Sequence, residues 1–490
     1  MDAWCNSAAA GCALLSPTGP SVALHDRSHG SAAQAWRCYD PGALDAATHS
    51  RYVSGSNYCT RDGELAAIEQ QCDPPAPTPA PPPTGVMHLH VLSNSSATAA
   101  AAPLCLDGTP GAFYLARGAE ANKWVIWHEG KGWCFSDADC AARALSTDGR
   151  GGWAASGWPA KPGCLPPTLP FAAGLPCPAQ TTCQLSPDAA LNPAFHGFNM
   201  VFVKTCDGGS FTGSRVNVVQ HSPATAGPQQ QQQQQQPPQQ PQQQPQQLHY
   251  RGRAILDAVI DALLALGIGN ATEVVVGGGS AGALATYLHA DHYTARLNQT
   301  NSRGGGGQMM IPRVVALPDC GFFMDTNGDP PAAPGAGYHD GIAWMHSAAG
   351  MNASASLDPR CRAAHAGEPE LCLFAAHLAP FIRTPVFALQ AQFDAYQIPH
   401  ILRNEDAAVV NAFGANLTAA LVAGLLEGRP GNAAMVDSCE HHCDGYDTYR
   451  VDAVTQAEAV HAWYINGSAA LPNAGRIFAT DAFPCSACCH

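Results

Sequence analysis

One serine in this chain has a setting suited to nucleophilic chemistry. Ser280 lies in Gly278-Gly279-Ser280-Ala281-Gly282, between the β-branched run ending at Val276 and a stretch, Ala281 to Leu297, that reads as a helix. Strand, small-residue turn, helix is the pattern of a nucleophile elbow, in which the serine is held at a sharp turn with its hydroxyl exposed. The glycines fit because strand and helix must pack closely around that turn. A serine hydroxyl is a poor nucleophile until a base takes its proton, so the reading requires a histidine and an orienting acid further along.

For the acid, Asp394 follows Pro385–Ala391, where a strand would end, and the order Ser, acid, His is met. Asp319, after the run Ile311–Pro318, is the rival, one strand earlier than the usual place. For the base, the chain holds 20 histidines, and Ser438-Cys-Glu-His-His-Cys443 stands out because its cysteines can pin a loop. His442 and His441 compete there, and spacing does not separate them. Cys439, His441, His442 and Cys443 also have the ligand types of a metal site, as does the terminal Cys485–His490. Disulfides are the expected state of both, and no metal or cofactor is expected. The oxyanion of an acyl transfer needs backbone N–H donors. The residue after the nucleophile, Ala281, supplies one, and the loop His128-Glu-Gly-Lys-Gly-Trp-Cys134 is the candidate for the others.

These groups need a scaffold, and the sequence describes one. Trp124–Trp127, Met200–Val203, Thr272–Val276, Val314–Leu317 and Val386–Leu389 are short apolar runs of the kind buried parallel strands show. Residues 254–266 place Ile255, Leu256, Val259, Ile260, Leu263 and Leu264 on one helical face, with Gly267 as a stop. The alternation predicts an α/β fold, a mostly parallel central sheet with helices on both faces. Residues 1–72 carry Cys5, Cys12, Cys38, Cys59 and Cys72 with little periodicity and read as a small cysteine-rich appendage. A Pro-rich linker, 73–84, follows, and 85–490 form the main domain. The Gln/Pro stretch 228–247 reads as a disordered insert.

Composition narrows the function class. Of 490 residues 46% are apolar, enough for a large core, and only 13% are charged. A formal net charge of -14 argues against nucleic acid, whose phosphates need a basic footprint. Twenty cysteines suit an oxidising compartment. Asn94, Asn270, Asn298, Asn352, Asn416 and Asn466 each open a glycosylation triplet, which points the same way. The expectation is a secreted glycoprotein, although Met1–Cys5 does not read as a signal peptide. No stretch of about 18 apolar residues suggests a membrane span.

Eight segments, in this order, resemble the pectin acetylesterase family, which includes the animal Notum-type carboxylesterases. They are Leu104–Gly118, Glu129–Cys134, Cys206–Gly213, Tyr250–Gly252, Ser280–Asp291, Asp319–Phe323, Phe393–Gln397 and Ser438–Cys443. The resemblance implies an α/β-hydrolase-like fold and ester cleavage through a serine acyl-enzyme, without a metal. It implies Ser280, Asp394 and His442 as the triad, and Gly132, Trp133 and Ala281 as oxyanion donors. Plant-type members are similar in removing acetyl groups from pectin, the Notum type in removing a fatty acyl group from a secreted signalling protein. The early loop looks more plant-like, which makes an acetylated cell-wall or matrix polysaccharide the expected substrate. A long-acyl carboxylesterase and a non-catalytic glycan-binding relative are the alternatives. The chain departs from the family pattern at Lys131, Gly279 and Ala283. Lys131 puts a cation beside the oxyanion loop, where it either attracts an anionic sugar or points to solvent.

Overall fold

The computed structural model describes residues 22–24, 34–38, 58–61, 64–67, 86–93, 102–145, 168–170, 183–221, 246–301, 312–443 and 445–485. Two compact units divide between Ala76 and Pro77. In the first, Val22–Leu24, Gln34–Cys38, Tyr58–Arg61 and Glu64–Ala67 form a four-stranded antiparallel sheet, with Cys38 opposite Cys59 in its register. The Pro-rich segment 73–84 lies outside the described residues, as does the Gln/Pro stretch as far as residue 245. The last two residues of that stretch depart from the disordered insert expected of them. Gln246 and Gln247, with Leu248, form a strand antiparallel to Val219–His221.

The second unit is built on a ten-stranded sheet. Its strands are β1 (Val86–Val91), β2 (Ala112–Ala116), β3 (Glu120–His128), β4 (Thr168–Pro170) and β5 (Phe198–Val203), then β6 (Glu273–Gly279), β7 (Arg313–Asp319), β8 (Phe387–Ala391), β9 (Ala433–Asp437) and β10 (Arg476–Phe478). Their spatial order is β10-β9-β8-β7-β6-β3-β5-β2-β1-β4. Pairing is parallel from β10 through β5 and antiparallel at the β5–β2–β1–β4 edge. The mostly parallel α/β sheet expected from the alternation is present, and the antiparallel edge is an addition.

Alternating side chains on each central strand serve opposite faces, so the sheet needs cover on both. Helix α1 (Asp137–Leu145) follows the loop after β3. Val274 and Val276 of β6 pack with Trp124 and Ile126 of β3 beneath helix α2 (Gly252–Ala265), through Ile255, Leu256, Val259 and Leu263. Helix α3 (Ala281–Asn301) joins them through Tyr293 and Leu297. On the other face Val275, Trp127, Leu317 and Met435 meet Val460, Trp463 and Tyr464 of helix α5 (Gln456–Asn466). Helix α4 (Ala407–Leu421) is N-capped by Asp406, whose carboxylate accepts the Ala408 and Val409 N–H groups. With the following turn, Ala407–Leu426 is long and apolar enough by composition to cross a membrane. Asn411, Asn416 and Thr418 interrupt it, so it is not an unbroken apolar run in the sequence. Val410, Phe413, Leu417 and Leu421 of this helix are buried in the protein core.

Candidate active site

The site gathers at the carboxyl ends of the parallel strands, where loops from neighbouring strands converge. Strand β6 stays extended through Gly279, and Ser280 turns the chain with φ 54°, a left-handed conformation rare for a residue with a Cβ. Its N–H donates to the Asp319 carbonyl at 3.0 Å, tying the turn to the end of β7. The elbow depends on the absence of a side chain at Gly282, where a Cβ would lie 2.1 Å from the His128 carbonyl oxygen. Gly279 is different: a Cβ there would rest at an ordinary 3.6 Å from Cys443 Sγ. The departure from the family at that position therefore meets no steric demand. The departure at Ala283 is accommodated by Gly321, since a Cβ on Gly321 would fall 2.2 Å from the Ala283 methyl.

Ser280 Oγ lies 2.8 Å from His442 Nε2, and His442 Nδ1 is 3.0 Å from both carboxylate oxygens of Asp394. Asp394 is fully buried just beyond β8. There its Oδ1 accepts the Tyr396 and Gln397 N–H groups at 2.9 Å, and Oδ2 accepts Gln390 Nε2–H at 3.2 Å. His442 is partly exposed, so reactants can reach the serine–histidine end while the acid stays dry. The rings of Phe323 and Tyr396 flank the imidazole, at 6.2 and 5.2 Å.

The glycine-rich loop after β3 packs on the elbow: a Cβ on Gly130 would sit 2.7 Å from the Ser280 Cβ. The Cys134 N–H donates to the Gly208 carbonyl, whereas those of Gly132, Trp133 and Ala281 have no acceptor among the described residues. Loop and elbow are braced by Ser210, whose part the sequence did not disclose. The Trp133 indole N–H donates to Ser210 Oγ at 2.7 Å, and the Ser210 hydroxyl donates to the Ala281 carbonyl at 2.7 Å. Ser210 and Phe211 both have positive φ, and the Ser210 carbonyl receives His289 Nε2 at 3.0 Å.

The rival residues have other partners. Asp319 does not bond to His442; its Oδ2 accepts the Gln184 amide at 2.9 Å. Burial pushes its carboxyl up to about 7, against the lowering pull of His441, the Gln184 hydrogen bond and His442. His441 Nε2 goes to the buried Asp437 carboxylate, at 3.0 and 3.1 Å. Of the sulfur ligands a metal would need, Cys443 is in a disulfide with Cys320. Cys320, His442 and Cys443 do bring donor atoms within 4.8 Å of one another, but two of those atoms are the bonded sulfurs. Lys131 bonds to none of Ser280, His442 and Asp394, and it does not point wholly to solvent. Its Nζ is 3.5 Å from Glu129, which is buried and already paired with buried Lys204. A separate cavity of 310 Å³ lies at the opposite end of the strands against Arg313, Pro385 and Trp463. Its one charged lining group, Arg313, is engaged by the Tyr464 carbonyl and Glu273.

One sequence-family model, described as pectinacetylesterase, matches residues 83–153 and 176–490. The chain belongs to this family. It is 26% identical to pectin acetylesterase 5 of Arabidopsis thaliana over 396 residues, 74% of this chain and 77% of that one. It is 29% identical to pectin acetylesterase 7 of the same plant over 308 residues, 62% and 63% of the two chains. The palmitoleoyl-protein carboxylesterase notum1a of Danio rerio is 26% identical over 60% of this chain and 49% of its own. Among solved structures, the Wnt deacylase Notum from Drosophila superposes with a TM-score of 0.58, covering 79% of this chain and 95% of that one at 21% identity. The family membership makes the protein a carboxylic ester hydrolase, and the shared fold is α/β-hydrolase-like.

Proposed function

We propose that this esterase is secreted and removes acetyl groups from pectin or a related polysaccharide, with Ser280 as nucleophile, His442 as base and Asp394 as orienting acid. The observation that carries the reading is the unbroken chain of contacts from Ser280 Oγ through His442 to buried Asp394. As Ser280 Oγ attacks the ester carbonyl, its proton passes to His442 Nε2, and Asp394 steadies the imidazolium through Nδ1–H. The negative charge that develops on the carbonyl oxygen is met by the N–H groups of Gly132, Trp133 and Ala281, at the amino end of α3. His442 returns the proton to the departing sugar oxygen, leaving an acetyl-serine. Water then attacks the acetyl carbonyl as His442 takes its proton; the acyl–Oγ bond breaks, His442 returns the proton to Ser280 Oγ, and acetate leaves.

An acetylated glycan as substrate is supported by the pectin acetylesterases, which match more of the chain than notum1a does. Secretion is supported by the disulfides Cys105–Cys206, Cys134–Cys140, Cys320–Cys443 and Cys361–Cys372, and by the exposure of Asn270, Asn416 and Asn466. The test is acetate release from acetylated pectin, with short- and long-chain p-nitrophenyl esters alongside, for wild type and Ser280→Ala. Rapid acetate release that disappears in the variant is expected. Activity on long chains alone would move the substrate to a lipidated partner, and no hydrolysis of any ester would leave a glycan-binding protein.

A further inference from the structure

Two histidines stand side by side at 441 and 442, and only the second touches Ser280. We propose that His441 is a positioning residue: anchored on buried Asp437, it fixes the loop that presents His442 to Asp394. The inference rests on the triad reading above.

The loop Ser438–Cys443 leaves the end of β9 with two anchors at its far end. One is the disulfide from Cys443 to Cys320. The other is His441, which is 5% exposed and reaches in two directions. Its Nε2 lies 3.0 and 3.1 Å from the Asp437 oxygens, on the last residue of β9. Its main-chain carbonyl accepts the Ala395 N–H at 3.1 Å, one residue past the acid of the triad. One residue thus ties the base loop to its own strand through the side chain and to the acid loop through the backbone.

Asp437 is itself held. Its Oδ1 accepts the Cys439 N–H at 3.0 Å, and its Oδ2 receives the Gln456 amide at 3.3 Å from the start of α5. The Tyr449 ring, centred 4.3 Å away, closes over the His441 imidazole. Truncating His441 would strip the imidazole from Asp437, leaving it the Cys439 N–H and the Gln456 amide, and would loosen the segment between the disulfide-bonded Cys439 and Cys443. A displacement of about 1 Å at a reacting group costs on the order of a hundredfold in rate. Because His441 is almost fully buried and its ring is engaged by Asp437 and Tyr449, the loss should fall on turnover and not on binding.

The experiment measures kcat and KM on a short-chain p-nitrophenyl ester for wild type, His441→Ala, His441→Gln and Ser280→Ala. Active sites are counted by covalent labelling of Ser280 with a phosphonate. The expected result is a kcat for His441→Ala roughly ten- to a hundredfold below wild type, per labelled site, with KM within about twofold. His441→Gln keeps a donor for Asp437 and should recover most of the rate. Wild-type kcat per labelled site in His441→Ala would overturn the proposal, even if fewer molecules were folded. So would an equal loss in both His441 variants. Full activity in Ser280→Ala would instead sink the triad reading itself.

Discussion

Two buried aspartates stand close to the same histidine, and their surroundings give them opposite chemistry. Asp394 receives two backbone N–H groups, an amide and the His442 ring, all suited to a carboxylate. Asp319 receives one amide, and burial pushes it up to about 7. Asp394→Asn should therefore lower kcat by roughly a thousandfold or more, since the imidazole loses the acceptor that fixes its tautomer, while Asp319→Asn should stay within about tenfold of wild type. A pH-jump melting series separates the two residues further. Because the folded Asp319 keeps its proton up to about 7 and the unfolded one releases it near 3.8, its contribution to stability declines as pH rises through that window. Asp319→Asn has no proton to lose. The melting temperature of the variant relative to wild type should accordingly climb between pH 4 and 7.5; a constant difference across that range would contradict the raised carboxyl.

At the scale of elements, local signals carried far. The β-branched run before Ser280 became β6, and the apolar face at residues 254–266 became α2, because each segment's own periodicity sets the face it buries. Asp394 was legible from its place past a strand, which the structure puts at Phe387–Ala391. What stayed hidden depends on contacts distant in sequence. Spacing alone leaves His441 and His442 open, and the family resemblance implies His442; the physical reason lies in strand β9, whose Asp437 captures the first. The antiparallel edge strands were not anticipated for the same reason. Ser210 is another such case: it lies in the family-like segment Cys206–Gly213, but nothing in the sequence says that it bonds to both Trp133 and Ala281. Ser210→Ala removes both hydrogen bonds, and each is worth about 1 kcal/mol. Turnover of a short ester should fall roughly tenfold with little change in KM, measured at a matched melting temperature; unchanged kcat would show that the loop holds its shape without the brace.

For the whole molecule, the central sheet makes the site a composite of distant chain segments. The Cys320–Cys443 disulfide closes a span of 123 residues between the β7 and β9 ends. On chain-entropy grounds such a closure is worth about 4–5 kcal/mol, so Cys320→Ser/Cys443→Ser should melt well below wild type in calorimetry and lose activity with it. A variant that kept both would show that packing alone holds the base loop. The 162 residues between the serine and the histidine also separate them in time. At a synthesis rate of about 5–20 residues per second, Ser280 precedes His442 by roughly 10–30 s. Throughout that interval the growing polypeptide carries a serine with no partner to take its proton. On the triad reading, ester cleavage begins only once residue 442 has been added and folded against Ser280.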